Sequence, residues 1–550
     1  MLFKSRYLAL ITLLNASVLY WPNRGGGGFY LPVNMVLGIW VSLLVVASFI
    51  YRNSGLNYSS YSLWLLYGGV MLMILPLLGG DIGEFSAITS RMVGLGLGLA
   101  FYFALLQYRF TRAMREWVIR SCLLLALVQA GLGGAQYYLF SVDNFMGYDT
   151  LLNRPYGIFQ QWNVMASFMA TGLALALYCW MPKSGVVLTR WVALAAAMML
   201  VMAPLLLVLI GSRIGLMAAF LVTPLQLWAL WQLDRRRCVQ AIALISAGVA
   251  LAWFSQVSNG VARDVMQGST LSYRLQVWQI CLAMIAEKPW FGWGYGQFST
   301  EFIHYAHRLL PDTLESFHMP HPHNEFLFWG VEGGLPGLAA LGLIASGVVL
   351  LCIRRIRCGY GWAGRLSRSP WLLMVPIALH TQVEFPLYQS ALHGIMLILL
   401  LRVCDIRSSV FIRRYNVQGL RWGLVGAAMM CLLYLHNGLY ASQVITTVER
   451  EGLKNIARYQ QLIHPHPWQQ RQSYGEHLAG LLTYGQSQQH QVLKDYQHWG
   501  ESYLRHTPDV NVYINLSVVN RMLGNSLRAE QLRAEARHLY PQERRLIPSG

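Results

Sequence analysis

The amino-acid sequence predicts an all-α, polytopic membrane helical bundle of about 13 spans, with a large loop and a C-terminal soluble helical domain. Three observations predict it. Hydrophobic residues make up 55% of the 550 and charged residues only 12%, too few charges to wet the surface of a soluble fold of this size. Apolar runs of about 18 residues recur along the chain. Lys and Arg alternate between poor and rich connections. With only 8 Cys, a disulfide scaffold is excluded, and the composition equally excludes disordered and collagen-like classes.

The runs centre near residues 7–21, 33–51, 61–79, 92–108, 117–139, 162–181, 191–210, 214–232, 239–255, 326–352, 370–387, 391–403 and 420–440. With the N-terminus inside, segments 1–6, 52–60, 109–116, 183–190, 233–238, 353–369 and 404–419 carry 19 Lys and Arg, and the short outside segments carry four. This is the positive-inside asymmetry, so most of the +18 net charge sets orientation rather than recruiting a polyanion such as nucleic acid. Lys4 and Arg6 precede the first run with no small-residue cleavage site after it, so that run is expected to be a start anchor.

An odd number of spans places two large pieces outside: a loop over about 256–325 and a tail, 441–550, following the membrane domain 1–440. Only Cys281 falls in either. In the tail, Leu516, Val519 and Leu523 recur at helical spacing, Gly524 breaks the pattern, and Ala529, Leu532, Ala536 and Leu539 resume it before Pro541. The reading is one tetratricopeptide-like unit or an ordinary helical hairpin. Since one such unit cannot bury its own face, it is expected to stack on helices near 447–505 or on the membrane domain.

The loop gathers His304, His307, His318, His321 and His323 with Arg263, Arg274 and Arg308. Three readings are open. The first is a solvated loop on the membrane surface, with Pro289-Trp-Phe-Gly-Trp-Gly-Tyr-Gly296 supplying interfacial aromatics and tight turns. The second is a metal site, for which no HExxH and no outside Cys set is present. The third rests on His321-Pro-His323-Asn324-Glu325, immediately before an apolar run. There a neutral imidazole can take a proton from a hydroxyl where a soluble acceptor meets a lipid-borne donor. His464-Pro-His466 repeats the His spacing without the Asn or the run, so the motif needs its context. That context is Asn324, nine residues, then Gly334-x-x-Gly337. Gly333, Gly334 and Gly337 read by themselves as a small-residue face for close helix packing.

This arrangement resembles the O-antigen ligase superfamily, where His-Asn, nine residues and Gly-x-x-Gly recur at the end of the large periplasmic loop. Three further segments are similar to its PglL-type protein O-oligosaccharyltransferase branch: Arg154-Pro-Tyr-Gly-Ile-Phe-Gln-Gln161-Trp-Asn163 with Ala166, Gly211-Ser212-Arg213-Ile-Gly215, and His380-Thr-Gln-Val-Glu384-Phe-Pro386-Leu-Tyr388. Loop charges place Gln161, Arg213, His323 and Tyr388 on one outer face.

The resemblance implies a bacterial inner-membrane glycosyltransferase with a cytoplasmic N-terminus and a periplasmic site and tail. It would move a preassembled glycan en bloc from undecaprenyl pyrophosphate to Ser or Thr hydroxyls of periplasmic or secreted proteins such as pilins, without cofactor or metal. Lipid A core as acceptor, or polymerisation, is the alternative; a lipid-linked glycan transporter is the reading from a different class. His323 with Asn324 and Glu325 would be catalytic. Arg213, Arg274, Arg154 and Tyr388 would bind the pyrophosphate, and Gln161, Asn163, His321, His380 and Glu384 the glycan or acceptor. Simpler tasks stay open. Arg154 and Arg274 can snorkel, Gln161 and Asn163 can cap a helix, Glu325 and Glu384 can pair with an arginine, and Tyr388 can anchor at the interface. Arg213 is harder to dismiss, since about 2.5–3.5 kcal/mol opposes an Arg at the bilayer centre unless water or an anion meets it.

Overall fold

A computed structural model describes residues 20–50, 56–77, 85–108, 110–182, 188–258, 269–311, 318–357, 369–405, 410–411, 417–464 and 467–546. These are helical apart from turns and one two-residue antiparallel pairing, Asn57–Tyr58 with Val410–Phe411. Helices are what apolar runs must form where water is absent, because each then satisfies its own backbone. Among the described residues, nine are long and apolar enough to cross a membrane: Pro32–Ile50, Ile88–Leu106, Arg112–Tyr138, Trp162–Trp180, Arg190–Ile210, Arg213–Leu233, Arg235–Val257, Glu325–Arg354 and Gln418–Arg450. Tyr61–Leu77 and Ala391–Cys404 are shorter apolar helices. The run at 7–21 lies almost wholly outside the described residues, as does Arg263.

The expected span at 370–387 is a departure. It is a 3-10 turn, Pro370–Leu373, then a helix Val375–His380, a turn, and a four-residue helix Pro386–Gln389. Pro376 and Pro386 each sit in the first turn of their helices, where the missing N–H costs nothing. Between them the polar run from His380 to Glu384 leaves the helical path, which a continuous span could not do.

The described chain divides into two compact units. The first draws on Met1–Gly69, Gly94–Gly268 and Gly342–Leu433. Its centre is the helix Trp162–Trp180, buried at every residue from Val164 to Cys179. Around it pack Arg112–Tyr138, Arg190–Ile210, Arg213–Leu233 and Val375–His380. At Gly215 an added Cβ would lie 2.5 Å from the Ala166 Cβ, so glycine there sets the approach of two of these helices.

The second unit draws on Val70–Val93, Ser269–Leu341 and Tyr434–Gly550. Its C-terminal helices, Gln469–Ser487, His490–Leu504, Val510–Met522 and Ser526–Leu539, pack each on the next. Leu516, Val519, Leu532, Ala536 and Leu539 are buried, and Gly524 takes φ +83° at the expected break. The hairpin does stack upstream: Leu516 closes on Gly500, and Tyr496 and Leu504 join the core. Ile303, from the loop helix Phe298–Leu309, completes that core, and Thr300 Oγ1 donates to His506 O at 2.6 Å.

Candidate functional site

In the first unit, three segments far apart in sequence meet at Asn163. Asn163 Oδ1 accepts from Ser212 Oγ at 2.8 Å, and Asn163 Nδ2 donates to Glu384 Oε1 at 3.4 Å. One turn along the same helix face, Ser167 Oγ lies 2.7 Å from His380 Nδ1 and 3.1 Å from His393 Nε2, and His393 Nδ1 lies 3.0 Å from Ser390 Oγ. Both imidazoles are fully buried. The i, i+4 spacing of Asn163 and Ser167 therefore matches that of His380 and Glu384, giving two cross-links between the central helix and the broken 370–389 segment.

Backbone geometry explains the rest of this group. Gly211, at φ +65°, ends Arg190–Ile210 in a left-handed cap, Ser212 precedes the next helix, and Arg213 is its first residue, with an exposed side chain. Arg154 Nε donates to Ile210 O at 3.1 Å, satisfying a terminal carbonyl beside that turn, and its guanidinium lies 5.0 Å from the Trp162 ring. Gln161 occupies the position preceding Trp162–Trp180 with no side-chain cap bond. The loop carrying Arg154 is held by two glutamines of Arg112–Tyr138. Gln136 accepts from Tyr156 N and Gly157 N and donates to Gly157 O, while Gln129 accepts from Ile158 N. Tyr388 lies on Pro386–Gln389, whose end is fixed by Asn34: it donates to Gln389 O at 2.8 Å and accepts from Ala391 N at 2.9 Å.

In the second unit, His321, His323, Asn324 and Glu325 form a turn that opens the helix Glu325–Arg357. His323 takes φ +56°, and its N–H donates to His321 Nδ1 at 3.0 Å. Asn324 Oδ1 accepts from Leu327 N at 3.0 Å, an N-cap. Glu325 Oε2 accepts from Trp329 Nε1 at 3.2 Å. His321 is buried, and that burial, helped by the charges of His323 and Arg91, holds its pKa well below the usual imidazole value. His323 is half-buried. Arg274, on Ser269–Glu287, is half-buried as well.

The glycine motif has a different physical basis from helix packing. Gly334, at φ 59° and ψ −152°, breaks the helix, and Pro336 has no N–H to offer the carbonyl of Glu332. The turn 289–294 fills the gap. Trp293 N donates to Val331 O at 2.8 Å, Gly294 N to Glu332 O at 3.2 Å, and Leu335 N to Pro289 O at 2.7 Å. A Cβ at Gly334 would fall 2.4 Å from Pro289 O, and one at Gly292 2.5 Å from Val331 O. The aromatic-glycine run thus plugs a break in the helix that the His323 turn opens.

The other loop histidines do not join His321 and His323. His307 packs on His538, ring centroids 5.0 Å apart, and His318 on Tyr540 at 6.2 Å. His304 is exposed, and Arg308 pairs with Glu287 at 2.7 Å. Asn34, Gln129, Gln136, Ser167, His393, Arg91 and Glu332 stand outside the sequence motifs. Arg91 and Glu332 form an ion pair. The available signal was the same for most of these: a polar or charged residue inside an apolar run needs a partner.

Comparison with known proteins gives three family matches: O-antigen ligase over residues 194–342, virulence factor membrane-bound polymerase, C-terminal, over 370–547, and protein glycosylation ligase over 155–180. The last begins beside Arg154 and runs through Asn163 and Ser167. A curated O-antigen ligase from Pseudomonas aeruginosa is 27% identical over 176 residues, which cover 30% of this chain and 36% of that relative's length. The ligase match over the Gly211–Gly215 turn and the His323–Gly337 stretch, with the glycosylation-ligase match over the helix where Asn163 gathers its partners, supports the O-antigen ligase superfamily with features of its protein-glycosylating branch.

Proposed function

We propose that this chain is an O-linked oligosaccharyltransferase. It moves a preassembled glycan en bloc from undecaprenyl pyrophosphate to Ser or Thr hydroxyls of periplasmic or secreted proteins such as pilins, in a bacterial inner membrane with the N-terminus cytoplasmic and the site and tail periplasmic. The observation that carries it is the His323 turn. A half-buried imidazole is fixed in a left-handed conformation directly before an apolar helix, where a lipid-borne donor and a water-borne acceptor can both arrive.

In the reaction, His323 takes the acceptor hydroxyl proton as the oxygen forms its bond to the anomeric carbon. The bond from that carbon to the phosphate oxygen breaks, and the pyrophosphate leaves with its electron pair. Arg154, Arg213 and Arg274, with Tyr388, bind that leaving group and offset its charge. Asn324 and Glu325 position the base. Gln161, Asn163, His321, His380 and Glu384 orient the glycan or acceptor. The energy resides in the lipid pyrophosphate linkage, so no nucleotide is needed, and the arginines offset the leaving-group charge without cofactor or metal.

The helical tail, 441–550, is proposed as a domain that receives a polypeptide acceptor. The Pseudomonas aeruginosa relative, an O-antigen ligase, favours a second reading in which lipid A core accepts the glycan. Reconstituted protein given lipid-linked glycan with either acceptor, in parallel, tests both. The proposal expects glycosylated protein from the native chain and none from His323→Ala or Arg213→Ala. Native-rate transfer by folded His323→Ala removes the catalytic assignment, and transfer to lipid A core alone replaces the acceptor. A glycan crossing the membrane without a new glycosidic bond would mark a transporter instead.

A further inference from the structure

Arg91 belongs to none of the motifs above, yet it lies on the apolar helix Phe85–Leu106 and is mostly enclosed. A guanidinium in such a helix is retained only with partners. It has an acid and two rings. Glu332, 1% exposed, takes the ion pair, with Arg91 Nη2 donating to Glu332 Oε1 at 3.4 Å. The guanidinium carbon lies 4.4 Å from the Phe328 ring centroid and 5.5 Å from that of Trp329. Arginine alone combines a paired fork with a flat face for aromatic stacking.

Each of those rings holds one neighbour of His323. Phe328 packs on His321, ring centroids 4.4 Å apart, and His321 Nδ1 accepts the His323 N–H. Trp329 Nε1 donates to Glu325 Oε2. We infer that Arg91 is a positioning residue for His323, acting through Phe328 and His321 on one side and through Trp329 and Glu325 on the other. The inference rests on the proposed role of His323. It adds a residue on a separate helix whose task is to keep the left-handed turn in place.

A protonated His321 cannot accept the His323 N–H at Nδ1, so the anchor exists only while that ring is neutral. The titratable and charged groups that act on it are Arg91 and His323, and Arg91 is the one charged at every working pH. Removing it makes His321 easier to protonate, and the anchor is then lost at a higher pH than in the native protein.

The test uses full-length protein in nanodiscs with lipid-linked glycan and acceptor, comparing Arg91→Met and Arg91→Lys. Arg91→Met is expected to lower kcat about tenfold to a hundredfold, leave the acceptor KM within about twofold, and move the acid limb of the rate profile to higher pH. Arg91→Lys, keeping the charge but not the flat stack, is expected to lower kcat with the acid limb in its native place. Should Arg91→Met fail to fold, Phe328→Leu cuts the contact to His321 while keeping the ion pair, and the same kcat loss is expected. Carbethoxylation of His321, read by mass spectrometry, needs no transfer activity: protection in the native protein and labelling in Arg91→Met are expected.

Unchanged labelling, native kcat in Phe328→Leu, or an Arg91→Met profile that merely scales without shifting overturns the inference. Absence of transfer by the native protein, or native transfer by His323→Ala, strikes the proposed function instead, leaving the labelling result to judge Arg91.

Discussion

Ser212 donates to Asn163 at 2.8 Å, and this contact ties the turn that presents Arg213 to the helix that presents Gln161. Asn163 is the junction, since its amide also donates to Glu384. An amide is the group suited to this post: one oxygen accepts, one nitrogen donates, and neither charge nor proton uptake is involved. A carboxylate there would face Glu384 with a like charge.

Asn163→Ala is therefore expected to leave two enclosed polar groups short of a partner and to destabilise the protein by about 1–3 kcal/mol. Asn163→Asp should be worse at neutral pH and recover as pH falls, since protonating either carboxyl relieves the repulsion. Thermal unfolding in detergent at two pH values checks this. Equal stability of Asp and Ala variants at neutral pH would show that Asn163 does not join these segments.

Gly334→Ala is expected to prevent folding of the second unit. Its φ 59°, ψ −152° backbone belongs to a region open essentially to glycine alone, at about 1–3 kcal/mol for other residues, and the new methyl would meet Pro289 O at 2.4 Å. Gly342→Ala, farther along the same helix with nothing within 4 Å, should be neutral or slightly stabilising. Yield of monodisperse protein distinguishes them, and a well-folded Gly334→Ala would show that the helix break is dispensable.

How much of this was legible in the sequence follows from which physical signal each feature emits. Long apolar runs and loop charge announce the spans, and 3.6-residue spacing announces the tail hairpin around Leu516 and Leu532. The segment 370–387 reads as a span because its ends are apolar, although Pro376, Pro386 and the polar run between them mark the break. Gly334 was visible, but its reason was not: the complementary turn at Pro289 lies 45 residues upstream, and pairing at that distance leaves no periodic trace. Asn163 and Glu384 each stand in a recognisable motif. Their contact with one another, and the buried Ser167, His380 and His393 set, depends on packing that no local pattern encodes.

His323→Gly and His323→Ala separate the turn from the chemistry. A non-glycine residue at φ +56° carries a backbone cost of about 1–2 kcal/mol, which glycine relieves. The Gly variant should thus be at least as stable as the Ala variant, and both should lose transfer by about a hundredfold or more if the imidazole is the base. Stability is read by thermal unfolding and transfer by product formation. Activity surviving in the Gly variant alone would mean that the backbone turn, not the ring, is what the reaction requires.

Leu516→Ala probes the union of loop and tail. The side chain is fully buried against Gly500 and belongs to the core that Ile303 completes, so truncation should cost about 2–5 kcal/mol locally. Because the loop helix Phe298–Leu309 contributes Ile303 to that core, the loss should be felt in both places. Limited proteolysis is expected to open sites within 441–550 and, at the same protease concentration, around 310, while the Trp162–Trp180 region stays protected. Cleavage confined to the tail would mean that Ile303 lies against the core without being stabilised by it.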